Sequence, residues 1–285
     1  MQKRNLYPMR LKPVYKDIIW GGTRLITDFH KDDCTTPRLA ESWELTVHPD
    51  GMSVIADGEY AGMTLGEYLG CGYDFPVLIK FIDANDRLSV QVHPAKTELW
   101  YIVDAQPGAQ IIYGLEHDFD EASFRRALAD GTLDSLLHRI DVHPGEFYML
   151  PSGLIHAIGS GILIAEFQQS SNITYRVYDY NRGREIHTEQ AIDTIKRLGI
   201  SSYTPGPTSC EFFSVKKTVL TGGQTAETVA DKTFVHLLCI DGEGTVDGYP
   251  IRRGDSYFIP AGYGAAVLKT DTSLSVIETL PPQGK

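Results

Sequence analysis

Apolar and polar residues alternate over short stretches along most of the chain, and these stretches are rich in Val, Ile, Tyr and Phe. Residues 88–93, 99–103, 110–113, 146–150, 162–167 and 174–180 each read as a strand bounded by turn residues. Gly and Pro, 27 and 15 in number, supply the punctuation. Strands at this spacing predict a sandwich or barrel rather than alternating βα units.

Helical patterns are few. Thr64 and Glu67 form a capping-box pair ahead of a short helix over Leu65, Tyr68 and Leu69. Asp118 and Glu121 open a second segment with Phe124, Ala127 and Leu128 on one face, interrupted at Gly131. Leu133, Leu136, Leu137 and Ile140 recur at i, i+3, i+4 and i+7, which predicts a further helical face. Thr188 caps a fourth helix with Ile192 and Ile195 inward and Gly199 as its stop. The stretch GISSYTPGPTS that begins at Gly199 has linker composition, and only strands are read after it. A boundary near 200–209 therefore separates residues 1–200, with a helical insertion near 118–140, from residues 210–285.

Composition narrows the partners. The 285 residues carry a net charge of −11, with no basic stripe to offset it, so nucleic acid and anionic membrane surfaces are not expected partners. No apolar run is long enough to span a bilayer, and the basic first residues have no apolar core behind them, so no secretory signal is expected. Cys34, Cys71, Cys210 and Cys239 are far apart and form no C-x-x-C pair. They read as reduced thiols of a cytoplasmic protein. Either a monomer or a homo-oligomer is compatible with this composition.

Two segments carry candidate chemistry. In LSVQVHPAKTELW, Leu88, Val90 and Val92 alternate with Ser89, Gln91 and His93, so the three polar residues share one strand face. A polar inner face is costly unless a ligand or metal satisfies it. Glu98 can return on a neighbouring strand, and Gln, His and Glu offer O, N and O donors. In GEFYMLPSGLIHAIGS a strand ends in a Pro–Gly turn, and His156 begins the return strand toward the same interior.

The two segments resemble the paired motifs of the cupin superfamily. Gln91-Val92-His93 with Glu98 matches H-x-H-x(3–4)-E with Gln in place of the first His, and Gly145 to His156 matches G-x5-P-x-G-x2-H at every anchor. Two neutral histidines, an amide and a carboxylate suit Zn²⁺ with an open position, and Fe, Mn or Co as alternatives. Over nearly its whole length the chain further resembles the type I mannose-6-phosphate isomerase family in its short bacterial form. The resemblance rests on LKPVYKDIIWGGTRL with its mark Ile19-Trp20-Gly21-Gly22, on ESWELTVHPDG, PVLIKFIDANDRLSVQVHP and KTELWYIVDA, and on NITYRVYDYNR. The family carries a longer loop between the HP and KTE segments; here Ala95 alone separates Pro94 from Lys96.

The resemblance implies two cupin-type β-barrel domains, a mainly β fold, and interconversion of mannose 6-phosphate and fructose 6-phosphate through a cis-enediol. It places one divalent metal per chain, most naturally Zn²⁺, on Gln91, His93, Glu98 and His156. It places the catalytic arginine on Arg176, and Ser89 and Lys96 near the substrate phosphate. Parity puts Thr174, Arg176, Tyr178 and Tyr180 on one strand face. Zn²⁺ with one carboxylate, joined by Arg176 and Lys96, gives the site a positive potential inside an acidic protein. His48 and Glu44 match residues near the family's site and are candidates for the proton carrier, with Lys80 as a further candidate; a buried ion pair is the alternative for Glu44 and Lys80. His117, His138 and His187 lie in no motif and are expected at the surface, and Asp83 and Asp86 are expected in turns.

The tail repeats G-x5-P-x-G from Gly254 to Gly262, but Ala265 stands where the metal histidine would be, and His236 is isolated. A cupin-like half without a metal site is expected there. Two other functions compete with the isomerase: a catalytically silent sugar-binding or regulatory cupin, and an iron dioxygenase, against which Gln91 counts.

Overall fold

The computed structural model describes residues 5–71, 74–198 and 208–282. The chain divides into two units, and neither is a continuous segment. One draws on the chain up to Ile18, on Thr23–Phe81 and on the chain from Thr208; the other on Ile19–Gly22 and Ile82–Pro207. This differs from the single boundary expected near 200–209, of which residues 199–207, with Gly199, lie outside the described residues. The reason is strand pairing at long range. Met9–Lys12 pairs antiparallel with Ser256–Ile259, Met9 opposite Phe258, so the first strand of the chain completes a sheet of the tail.

In this first unit the tail forms antiparallel strands around an apolar core of Leu237, Cys239, Tyr257, Ile259, Leu268 and Val276. The long strand Val235–Val246 serves two sheets. Its first part pairs with Ser273–Leu280 and Ser256–Ile259, and its end with Tyr249–Arg252 and Gly264–Lys269. A register shift between Cys239 and Asp241 marks the bend, as a bulge does where a strand passes between sheets. The fold is mainly β, as expected, but its sheets are open rather than closed barrels. Leu65–Leu69 is the short helix read from the capping box: Thr64 Oγ1 accepts from Glu67 N–H, and Glu67 Oε2 accepts from Thr64 N–H at 2.8 Å.

The second unit is a five-stranded sheet facing a second sheet. Its order is Leu137–Asp141, Gln110–Leu115, His156–Ile158, Val90–Val92, Tyr175–Tyr178. The facing strands are Phe147–Leu150, Glu98–Ala105 and Ile162–Gln169. Val90, Val92, Ile112, Ala157 and Val177 turn away from the facing sheet into a core with Phe124, Ala191, Ile192 and Ile195. Those last residues belong to helices Glu121–Asp130 and Thr188–Leu198, which cover that face. The first of these helices is capped by Asp120, whose carboxylate accepts from Ser123 N–H, rather than by Asp118; Gly131 closes it at φ 70. Among the described residues, no helix is long and apolar enough to cross a membrane.

Three expectations are corrected here. Leu133–Leu136 is a 3-10 turn, and Leu137–Asp141 is a strand rather than a helical face. Ile140 opposite Ile111 and Leu137 opposite Leu115 complete an edge of the sheet, and that pairing outweighs a short helical period. Asp83 is not in a turn: it is buried in the strand Val77–Ala84. A Cβ at Gly22 would meet its carboxylate at 2.3 Å, which explains the glycine in the Trp-Gly-Gly segment. Finally, a register shift between Arg176 and Tyr178 breaks the expected parity. Arg176 lies opposite Gln91, but Tyr178 lies opposite Val90, and Tyr180 packs against the helix-covered core.

Candidate active site and metal centre

On the inner face of the five-stranded sheet, four residues stand in one row across neighbouring strands: Tyr113, His156, Gln91 and Arg176. Directly opposed residues share a face, so their side chains project together into the space between the sheets. Glu98 comes from the first position of the facing strand Glu98–Ala105. His93 and His156 are 2% exposed and Glu98 is 1% exposed. Their ligand atoms all lie within 4.8 Å of one another.

The hydrogen bonds fix the tautomers. His93 Nδ1 lies 2.9 Å from Ile173 O and His156 Nδ1 lies 2.8 Å from Leu154 O. A carbonyl only accepts, so each Nδ1 carries the proton and each Nε2 presents a lone pair inward. His93 Nε2 is 3.2 Å from Glu98 Oε1 and His156 Nε2 is 3.7 Å from Glu98 Oε2. His93 Nε2 and Glu98 Oε2 are buried with no hydrogen-bond partner.

Electrostatics keeps these groups in ligand form. Burial, with His93 close by, pushes His156 down to about 3. Burial, with the Lys96 ammonium beside it, lowers His93 as well. Burial alone would raise Glu98, but Lys96 and the two imidazoles hold it well below the usual carboxylate range. At neutral pH the site therefore offers two neutral imidazoles and a carboxylate, the protonation states that metal binding requires. Gln91 Nε2 lies 3.5 Å from His156 Nε2, and a half-turn of its amide puts Oε1 in that place. Gln91, His93, Glu98 and His156 thus fit a divalent cation, and the unpartnered Nε2 and Oε2 atoms are the observation behind that fit.

The surrounding side chains are ordered around this cluster. Lys96 Nζ lies 2.5 Å from Glu98 Oε1 and 3.4 Å from Gln168 Oε1. The turn that delivers it is short and closed, with Ala95 exposed at its tip and Gly153 N–H donating to His93 O at 2.9 Å. The Trp100 ring meets His156 edge-on, 5.5 Å between centroids, and its Nε1 donates to Glu166 Oε2 at 2.8 Å. Arg176 donates from Nε to Ser89 Oγ at 3.3 Å and from Nη1 to Glu185 O at 2.8 Å. His187 is not simply a surface residue: its Nδ1 accepts from Arg176 N–H, and its own N–H donates to Arg176 O at 2.7 Å. Burial and Arg184 lower the Arg176 pKa from its ordinary value.

Glu44, His48 and Lys80 belong to the first unit, where each has a partner of its own. Glu44 Oε1 lies 2.8 Å from Lys31 Nζ and accepts from Ser42 Oγ at 2.6 Å. Lys80 Nζ donates to Glu41 Oε2 at 3.3 Å, and His48 Nδ1 accepts from Asp50 N–H at 3.1 Å. Sequence reasoning did not single out Trp100, Glu166 or Gln168. Their signal was the alternation of Glu166 and Gln168 with Phe167 at the end of an otherwise apolar strand. Register places Glu166 opposite Trp100 and Gln168 opposite Glu98.

Comparison with known proteins agrees with this fold. A family model for the catalytic domain of type I phosphomannose isomerase matches residues 9–110, and one for the cupin domain of mannose-6-phosphate isomerase matches residues 204–278. The chain is 38% identical to mannose-6-phosphate isomerase ManA of Bacillus subtilis, over 90% of this chain and 94% of that protein. It is 37% identical to mannose-6-phosphate isomerase of Streptococcus mutans, over 89% of this chain and 92% of that protein. The crystal structure of the mannose 6-phosphate isomerase from Bacillus subtilis superimposes with a TM-score of 0.86 at 32% identity, covering 95% of this chain and 99% of that one. Fold and site together define a cupin-fold enzyme built around a buried histidine–carboxylate cluster. The chain belongs to the type I mannose-6-phosphate isomerase family.

Proposed function

We propose that this enzyme interconverts mannose 6-phosphate and fructose 6-phosphate, with one divalent ion, zinc, held by Gln91, His93, Glu98 and His156. The observation that carries the reading is the buried cluster of His93, Glu98 and His156, with both Nε2 lone pairs facing the carboxylate. When bound, the ion supplies a Lewis acid that stabilises negative charge on sugar oxygens.

The reaction moves a proton between C1 and C2 through a cis-enediol, and its barrier lies in the charge that develops on the two oxygens. Arg176 meets that charge. Its Nε and Nη1 are spent on Ser89 and Glu185, which fix the plane of the guanidinium and leave Nη2 to donate to a substrate oxygen. Because the arginine is held before substrate arrives, little reorganisation is needed as charge develops. Lys96 adds a second positive group near the carboxylate and favours an anionic substrate. Ser89 acts through Arg176, by accepting from its Nε. Enclosure between the two sheets limits competing water.

The test is a coupled assay of fructose 6-phosphate formation from mannose 6-phosphate, run on zinc-loaded and chelator-treated protein. Conversion that stops on chelation and returns with zinc is the expected result. Binding of the sugar phosphate without turnover by the zinc-loaded protein would favour the silent sugar-binding cupin instead.

A further inference from the structure

The second unit carries a cleft of about 290 Å³ on the other face of the sheet that holds His156. Ala157 is one of its walls, and successive strand residues point to opposite faces, so the cleft and the metal cluster stand back to back. Arg87, Arg139 and Tyr180 line it, with Gln106, Gly159 and Ser160 at its rim, and among the described residues that line it none is acidic.

Its parts are held in place. The Arg87 guanidinium lies 3.7 Å from the centre of the Tyr180 ring, with Arg182 on the same ring at 5.2 Å. Arg182 also donates to Arg87 O at 2.8 Å and so fixes the segment that presents Arg87. Arg139 is anchored through Nη2 to the exposed Asp134. Tyr180 and Asn181 both adopt left-handed backbone, φ 53 and φ 59, a strained pair that turns Tyr180 to this face. The first unit has a larger cleft, but there Arg10, Arg252 and Lys269 are matched by Asp57, Glu243, Asp255 and Asp271.

We infer that the Arg87–Arg139–Tyr180 cleft is a second binding site, specific for a phosphomonoester of a small organic molecule. In a chain of net charge −11, Arg87 meets no carboxylate among the lining residues and Arg139 is paired only with the exposed Asp134 outside them, so together they make a local anion trap. The planar guanidinium fork matches two oxygens of a phosphate. The space exceeds that of inorganic phosphate alone, and Gln106 and Ser160 offer polar groups to the hydroxyls of an attached organic part. An occupant would bear on the strand that presents His156, from behind.

The experiment follows the arginine Nε–Hε resonances of the metal-loaded, full-length protein, assigned through Arg87→Gln and Arg139→Gln, during titration with glucose 6-phosphate and, separately, with inorganic phosphate. The Arg176 resonance monitors the inner site. The Arg87 and Arg139 signals should move along one saturation curve, about tenfold tighter for glucose 6-phosphate than for phosphate, and either substitution should weaken binding about tenfold or more. Isomerase activity without added ligand should be unchanged in both variants, and Arg139→Lys should recover part of the affinity. Shifts that never saturate, or that survive both substitutions, overturn the site. Equal affinity for the two probes overturns the phosphomonoester assignment.

Discussion

Lys96 Nζ lies 2.5 Å from Glu98 Oε1, and both side chains are closed off from solvent. The ammonium balances the carboxylate that the proposed metal centre uses. Two cations therefore draw on one anion, and a bound divalent ion must share Glu98 with Lys96.

One divalent ion per chain is expected in protein purified without chelator, measured by elemental analysis. Replacing Lys96 with Met removes the competing cation, so the ion should bind about tenfold tighter or more, while turnover of the anionic substrate falls. Weaker metal binding in Lys96→Met would contradict the shared-carboxylate picture.

If Arg176 meets the developing charge as proposed, Arg176→Ala should lower kcat about 10²–10³-fold, since that charge appears only in the transition state. Metal content should survive, since Arg176 is no ligand. Arg176→Lys should recover only part of the loss. An unchanged kcat with a raised KM would reassign Arg176 to phosphate binding.

Lys31 and Glu44 form a buried ion pair, and Lys31 Nζ also donates to Gly254 O at 2.6 Å. Burial pushes Glu44 up even against the opposing pull of Lys31. Lys31→Met strands a buried carboxylate and should destabilise the protein by about 3–5 kcal/mol. The double change Lys31→Met with Glu44→Leu should cost distinctly less. Urea unfolding of the three proteins decides the matter, and equal losses in the single and double variants would refute the pairing.

His236 is buried in the first unit against Ser256 Oγ at 2.8 Å, and burial pushes it down to about 3. Unfolded, it takes up a proton near its ordinary value of 6.5. Between those two pH values the unfolded chain binds more protons, so stability falls as the pH is lowered through that window, by at most about 1.4 kcal/mol per pH unit from this group. His236→Gln should flatten the loss between pH 6 and pH 4 in roughly that proportion. An identical slope in both proteins would remove His236 from the acid response.

The buried cluster of His93, Glu98 and His156 was legible because local spacing carries it: alternation puts Gln91 and His93 on one face, and a Pro–Gly turn delivers His156. What depends on pairing between distant segments was not. Nothing in residues 133–140 distinguishes a helical period from a turn followed by an edge strand until Gln110–Leu115 needs a partner. The register shift after Arg176 sends Tyr178 and Tyr180 away from the face that parity assigns them, and a bulge has no signature in that stretch. Glu44 and Lys80 stand in recognisable segments, yet Lys31 and Glu41, with which they pair, lie well apart from them in the sequence.

The pairing of Met9 with Phe258 also sets an order of events during synthesis. The stretch from Ile82 to the end of Thr188–Leu198 leaves the ribosome before the tail exists, and it holds nearly all of the second unit. That unit can form while translation continues. The first strand has emerged long before; its Leu11 finds Ile55 early, but the partner of Met9 in Ser256–Ile259 is made almost last, so that half of the strand waits unpaired through most of translation. Closing so long a loop is slow, and the waiting edge is open to wrong pairing meanwhile. A chain stopped before Ser256 would carry a finished second unit and a first unit whose nine-stranded sheet lacks three strands.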